Sequence, residues 1–469
     1  MTAHNGHNGH DGHQGRAERA AFGKAQRAEV PLEAQAATGT DGDRDPIGLV
    51  LGQAASRVPE LVPVRHARMA VSPFTYFRGA ALPMAADLAN APTSGLIVQL
   101  CGDAHLSNFG AFASPERRLV FDCNDFDETL PGPFEWDVKR LAASFAVAAR
   151  DNGFKRKERR SIVRAVAQSY RENIREFANQ GRLAVWYAHL DIEATIPRFR
   201  DQIRPKAYTE ATTTLAKARS KDSMQALSKL TRVVDGRRQI ISEPPTIVPI
   251  EEVFNDVETD MLYGLIGGVI DSYQRSLTTD RRHLLHQFDL VQVARKVVGV
   301  GSVGTRAWIV LLETGDGEPL FLQAKEAQKS VLARYAGASR YRNQGERVVA
   351  GQHLMQALSD IFLGWTRVRA PDGATRDFYV RQLRDWKFSV PIERMRPDGL
   401  TLYAKMCGWT LARAHARSGD PVAIGAYLGG SDRFDRAIQA YAEDYADTTE
   451  KDYVAFREHV KDELVGVSP

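Results

Sequence analysis

Apolar side chains recur along this chain at two different spacings, and the spacing changes near residue 288. GPFEWDVKRLAASFAVAAR and KERRSIVRAVAQSYRENIREF carry apolar residues at helical intervals, with Trp136, Leu141 and Phe145 on or near one face. RLAVWYAHLDIEATI and KAYTEATTTLAKARSKDSMQALSKL continue the helical pattern. Ahead of them, GLIVQLCGDAH reads as a short buried strand running into a loop, and RRLVFDCNDF as a second strand. TRVVDGRRQII predicts a hairpin turning at Asp235-Gly236, and SEPPTIVP a Pro-rich linker. Beyond 288 come three β-rich runs, VQVARKVVGVG, TRAWIVLLET and PLFLQAKEA, the last two joined at Gly315-Asp316-Gly317. A helix, YRNQGERVVAGQHLMQAL, follows. Two further strands, IFLGWTRVRA and RDFYVRQLRD, are joined at Pro371-Asp372-Gly373-Ala374. From LTLYAKMCGWTLARAHARSGD to the end the pattern is helical again.

These elements predict an α+β protein. Residues 46–285 form a mostly helical part, 286–390 a five-stranded antiparallel sheet with one helix, and 391–469 a helical segment completing the first part. Residues 1–45 are polar and rich in Gly and Ala, and read as disordered. His4, His7, His10 and His13 recur within them, which fits a solvated low-complexity tail better than a metal-binding one.

Composition narrows the function classes. The 469 residues are 43% hydrophobic and 26% charged, as in ordinary globular proteins. Net charge is +4, from 62 basic and 58 acidic side chains, and no basic run has interleaved aromatics, so a nucleic-acid partner is not expected. No apolar run approaches the ~18 residues of a membrane helix, and the N-terminus lacks the apolar stretch of a secretory signal. Cys101, Cys123 and Cys407 have neither disulfide-framework nor metal-ligand spacing, which predicts a reducing, cytoplasmic setting.

Two constellations carry chemistry. The first is Gly102-Asp103-Ala104-His105-Leu106-Ser107-Asn108 on a loop between strands, followed by Asn124-Asp125-Phe126-Asp127-Glu128. Phosphoryl transfer needs a carboxylate to orient the acceptor hydroxyl and oxygen ligands to hold Mg²⁺ on the phosphates, and these residue types supply both. Asp and Asn are also ordinary turn residues, but so dense a run around a strand pair argues for function. The second is Gly299-Val300-Gly301-Ser302-Val303-Gly304. A dinucleotide fold would require this pattern to open a helix. Here it precedes the β-branched run TRAWIVLLE, so it is a glycine loop between two strands, the arrangement by which kinases cover phosphates with backbone amides. Lys325 ends the next strand, where a phosphate-pairing lysine outside the core is expected. Glu346 lies on the following helix, within prospective reach of Lys325. Arg68, Arg78 and Gly79 precede the first constellation; an arginine there suits either an anion or a structural ion pair.

SPFTYFRGAA, CGDAHLSNFG and NDFDETLPGPFEWDVKRLAAS resemble the signature of a large bacterial family, domain of unknown function 2252, from about residue 50 to the end. The GDxHxxN loop and the DFD segment also resemble aminoglycoside phosphotransferases and related small-molecule kinases. That resemblance implies ATP and Mg²⁺ as cofactors, a small-molecule acceptor, Asp103 as catalytic base with His105 beside it, Asn108 and Asp125 as metal ligands with Asp127 nearby, and Asp137 as a buried structural acid. It also implies a kinase-like two-lobe fold. The order differs from that of kinases, because the glycine loop and Lys325 come about two hundred residues after the Asp103 loop. A circular permutation accounts for this. LARAHARSGD, which resembles the helix leading into a kinase catalytic loop, agrees with it. Two other readings compete. In a metal-dependent phosphoesterase, Asp103 and His105 open the site and Asp122, Asp125 and Asp127 hold a second metal. A nucleotide-binding pseudokinase would use the same pocket as a scaffold.

Overall fold

The stretch Phe134–Asp151 folds as one helix whose residues from Phe134 to Ala149 are all buried, and the rest of the helical body is laid around it. Helices Arg156–Phe177, Pro397–Ser418 and Arg433–Val460 pack against it or against one another. A helix this deeply enclosed reads as apolar nearly all round, and Glu135, Asp137, Lys139 and Arg140 interrupt the pattern because each has a polar task. The computed structural model describes residues 14–467 except 196, 198–203, 206–208, 210–212, 214–222, 298, 371, 384–385 and 387–389. The His-rich run at 4–13 and most of the expected 206–230 helix lie outside the described residues.

Strand β1 (Ile97–Leu100) leads into the Asp103 loop, and β2 (Phe109–Ala113) and β3 (Leu119–Cys123) form an antiparallel hairpin after it. Strand β4 (Leu130–Pro133) returns to pair with β1, so the acidic 124–128 segment is held between two strand pairs. A two-residue strand, β5 (Leu190–Asp191), extends the hairpin. Next come β6 (Thr231–Val234) and β7 (Arg237–Ile240), which turn at Asp235-Gly236 with both residues at positive φ, the conformation a two-residue hairpin demands. The remaining strands are β8 (Ile247–Pro249), β9 (Asp289–Lys296), β10 (Ala307–Glu313), β11 (Pro319–Ala327), β12 (Gly364–Arg369) and β13 (Thr375–Gln382). They form one antiparallel sheet in the order β12-β13-β11-β10-β9-β8.

The described residues thus form a mixed α+β structure with several antiparallel sheets. Three parts differ from the sequence-based expectation. The main sheet has six strands rather than five, because Ile247–Pro249 of the expected Pro-rich linker pairs along β9. Residues 223–288, expected in the helical part, pack on the sheet: Leu227 and Leu230 join Ile309, Leu311 and Phe321, while Tyr273 and Leu277 join Leu312, Leu320 and Leu322. Covering both faces explains why β11 is buried almost without alternation. Residues 16–45, expected to be disordered, include the helix Arg16–Glu29, which packs on helix Pro421–Leu428. Its sequence is polar on average, and only tertiary contact stabilises it. Among the described residues no helix is long and apolar enough to cross a membrane.

The N-terminal helix is seated at Gly23, where an added Cβ would lie 2.0 Å from the Ala423 carbonyl oxygen. The obstacle is backbone and cannot rotate away. Gly23→Val should therefore lower stability by ~1–3 kcal/mol, the usual cost of overpacking. Urea unfolding of the full chain measures this, and an unchanged midpoint would mean that the helix does not dock.

Candidate functional site

The buried helix Phe134–Asp151 sets the Asp103 loop through two charged residues one turn apart. Asp137 is 1% exposed and accepts hydrogen bonds from the Cys101 and Gly102 amides at 2.8 and 3.0 Å. His415 Nε2 lies 3.3 Å from the same carboxylate. Asp137 is thus the structural acid expected from its motif. Gly102 adopts φ +85, and a Cβ there would sit 2.3 Å from the Glu128 carbonyl oxygen, so only glycine fits this turn. One residue on, Asp103 meets Arg140, with Nε 2.8 Å and Nη2 2.7 Å from Oδ1. Burial pushes the Asp103 carboxyl above its ordinary range, and Arg140 opposes that shift. Asp103 Oδ2 points toward His105 Nε2 at 3.8 Å. His105 is buried, and burial, together with Arg78 and Arg140, pulls its pKa well down, so the ring is neutral. The Asn108 amide donates to the Asp103 carbonyl at 2.8 Å, which closes the loop on itself.

The acidic segment after β3 divides into structural and cleft-facing members. Asp122 is 3% exposed and forms an ion pair with Arg413 of the Pro397–Ser418 helix, so it is absorbed in the core and is not available to a metal. Asp125 and Asp127 reach the cleft, and both face Lys325. Lys325 is in salt-bridge contact with Asp127, and its Nζ lies 3.9 Å from Asp125 Oδ1. Contrary to expectation Lys325 is a core residue, 3% exposed, on the sheet face it shares with Tyr379. Burial alone would lower its pKa, but Asp125 and Asp127 outweigh burial and hold the ammonium charged. The expected Lys325–Glu346 pair does not form: among the described residues Glu346 has no ion pair with Lys325. Its helix neighbour Arg347 instead ties the segment down, donating to the carbonyls of Asp127, Thr129 and Gln328.

Gly299–Gly304 is a loop between β9 and β10 and opens no helix. Gly299 and Gly304 have φ of +70 and +88. The N-terminal segment grips this loop. Arg68 donates to the Gly299 carbonyl at 2.8 Å, the Val58 amide to the Gly304 carbonyl at 2.8 Å, and Val300 and Val303 enter apolar clusters with Met69 and Leu61. One cleft is lined by Gly299, Gly301 and Ser302 on the sheet side and by Asp103, His105, Asn108, Asp125 and Asp127 on the body side. Apart from Glu346, Lys325 and Gly304, every expected site residue therefore borders this cleft. Lys325 reaches it through Asp127, and Gly304 ends the loop. Sequence reasoning passed over Arg140 and Arg347, and it named Glu128 without giving it a task. The signal for Arg140 was present: a charged residue inside an otherwise apolar buried helix must find a partner.

Fold and site together define a mixed α+β protein with a polar cleft between an antiparallel sheet and a helical body. The chain belongs to a family of uncharacterized proteins conserved in bacteria (DUF2252), whose sequence profile it matches over residues 57–459. No curated protein and no solved structure matches it.

The cleft combines a desolvated carboxylate, two further carboxylates against a buried ammonium, and loop amides. Among the described residues no three His, Cys, Asp or Glu side chains form a ready-made metal cage. Glu128 lines the same cleft, accepts from the Val331 amide at 2.6 Å, and is raised by burial to about 7. The folded state then holds a proton that the unfolded carboxyl, with its ordinary value of 4.5, releases earlier. Stability from this group is present below pH about 4.5 and falls as pH rises to about 7. Glu128→Gln should flatten that decline in urea unfolding between pH 5 and 7, and an unaltered slope would show that the carboxyl is ionised throughout.

Proposed function

We propose that this protein is a Mg²⁺-dependent, kinase-like phosphotransferase that moves the ATP γ-phosphate to a hydroxyl of a small-molecule acceptor. The observation that carries this reading is convergence: Asp103, Asn108, Asp125 and Asp127 meet the Gly299–Ser302 loop in one cleft, with Lys325 behind Asp127, although about two hundred residues separate the two groups. The glycine loop joins the adjacent antiparallel strands β9 and β10, and Lys325 stands on the next strand, β11, which is the order in which kinases hold phosphates. The helix Gln344–Met355, which intervenes before the last two strands, agrees with it.

Circular permutation has its own support. Helix Pro397–Ser418 ends against β1, where the Gln99 amide donates to Ser418 Oγ at 3.2 Å. An added Cβ on Gly419 would lie 2.6 Å from Val98. Read through space, the sheet (289–382), that helix and then the Asp103 loop follow in the order a kinase has in sequence. Asp420, which caps the next helix through the Val422 amide, has a structural task in this arrangement.

In the proposed reaction Asp103 accepts the proton of the acceptor hydroxyl as its oxygen forms the bond to the γ-phosphorus. The bond from that phosphorus to the β,γ-bridging oxygen breaks, and ADP leaves. Arg140 fixes the Asp103 carboxylate, and neutral His105 walls it from behind. Lys325 exchanges contact with Asp127 for a phosphate oxygen, and the loop amides cover the others. Asn108 and Asp125 fit Mg²⁺, which commonly takes one or two protein oxygens and completes its shell with phosphates and water. Asp127 Oδ1, buried without a hydrogen-bond partner, is a further oxygen suited to it. When bound, the ion neutralises charge on the transferring phosphate. The phosphoesterase reading loses Asp122 to Arg413 and leaves the glycine loop without a task.

Lys325→Met should weaken Mg²⁺–ATP binding at least tenfold by calorimetry in a chain whose circular dichroism is unchanged; equal affinity would remove the nucleotide assignment. Asp103→Asn should keep nucleotide binding and lose ~10²-fold or more of the phosphate transferred, the low end for loss of a general base. Slow ATP hydrolysis to water serves as its readout, and full activity would exclude Asp103 as base.

A further inference from the structure

Three arginines from residues 57–78, outside both constellations, line the same cleft: Arg57, Arg65 and Arg78. The four other fully buried arginines each meet a carboxylate or several carbonyls. Arg140 meets Asp103, Arg171 meets Asp435, Arg413 meets Asp122, and Arg347 is taken up by carbonyls and Gln344. Arg65 and Arg78 are different. Arg65 is 1% exposed and donates only to neutral groups, Gln53 Oε1 at 2.9 Å and the Gly79 carbonyl at 3.1 Å, while its Nε and Nη1 have no hydrogen-bond partner. Arg78 has a buried, unpartnered Nε, and among the described residues no carboxylate within salt-bridge distance. Burying a guanidinium without a counter-charge is costly, and the fork geometry of its donors matches an oxyanion.

The position of Arg78 fixes where such an anion would lie. It lines the cleft together with Asp103, Asp125, Gly301 and Ser302, and its carbonyl oxygen lies 3.1 Å from where a Cβ on Gly301 would be. The anion therefore sits beside the catalytic base and the tip of the glycine loop. The nucleotide phosphates already have Lys325, the loop amides and the Mg²⁺ ligands. We propose that Arg65 and Arg78, with Arg57 at the rim, form a second anion site that holds a phosphate group on the acceptor, so that the substrate is a phosphorylated small molecule bearing a free hydroxyl. This rests on the phosphotransferase reading. Two guanidiniums without acidic partners match the charge of a phosphate dianion. A cationic acceptor would meet repulsion from both. Arg57 contributes less, because its guanidinium also holds the Val303 carbonyl and faces Glu128 and Asp127.

Inorganic phosphate is the probe, titrated calorimetrically into the full chain with and without a saturating, non-hydrolysable Mg²⁺–ATP analogue. Phosphate should bind in both conditions. Arg78→Gln, which removes no side-chain hydrogen bond among the described residues, should weaken phosphate at least tenfold and leave analogue affinity within twofold. Arg65→Met, which leaves one carbonyl and Gln53 unpaired, should do the same in the fraction that folds. Lys325→Met should not change phosphate affinity. Competition between phosphate and the analogue would overturn the proposal, because the arginines would then serve the nucleotide. So would phosphate binding that ignores Arg78→Gln, or none at all. If the analogue fails to bind while phosphate binding still depends on Arg78, the anion site stands and the phosphotransferase reading falls.

Discussion

The Asp103 side of the candidate site depends on one buried polar contact, the Asp137 carboxylate accepting the amides of Cys101 and Gly102. It is buried, and a buried amide without a partner costs roughly 1–3 kcal/mol. The contact fixes the Gly102 turn, the turn aims Asp103, and Arg140 on the next turn of the same helix receives it. Helix Pro397–Ser418 joins this arrangement through His415 on Asp137 and Arg413 on Asp122. A single buried helix thus sets the loop while a second braces both halves of the acidic constellation.

Across the cleft the sheet contributes through register. Antiparallel pairing places Lys325 opposite Ala307 and Tyr379, on the face directed at Asp125 and Asp127. A shift of one residue would turn the ammonium to the other face, so the pairing of β10, β11 and β13 decides whether Lys325 meets Asp125 and Asp127 at all. Lys325 is tolerable in the core only because two carboxylates face it, and those carboxylates are in turn held near the sheet by it. Arg347 reinforces the arrangement through backbone carbonyls of the acidic segment. The glycine loop is less free than its composition suggests, because Arg68, Val58 and the Val300 and Val303 clusters fasten it to the N-terminal segment.

Much of this was legible in the chain. Helical spacing located the long buried helices, and β-branched runs located five strands of the sheet. The order of Gly, Asp and Asn residues marked the cleft before any coordinate did. The Asp235-Gly236 turn was legible too, because positive φ at both positions leaves few residue choices. Short strands such as Leu130–Pro133 and Ile247–Pro249 were not, because each contains proline and pairs with a strand far away in the chain.

The sequence alone determined which apolar residues had to be inside, and which loops needed glycine or a carboxylate, because apolar periodicity and backbone conformation are local in cause. Tertiary structure alone decided the partners. Lys325 takes Asp127 instead of Glu346, Asp122 goes to Arg413 and leaves the metal candidates, and the 16–29 helix is ordered by the far end of the chain. A side chain's charge is written in its own position, but the energy of that charge depends on what is packed against it, and packing joins residues hundreds of positions apart.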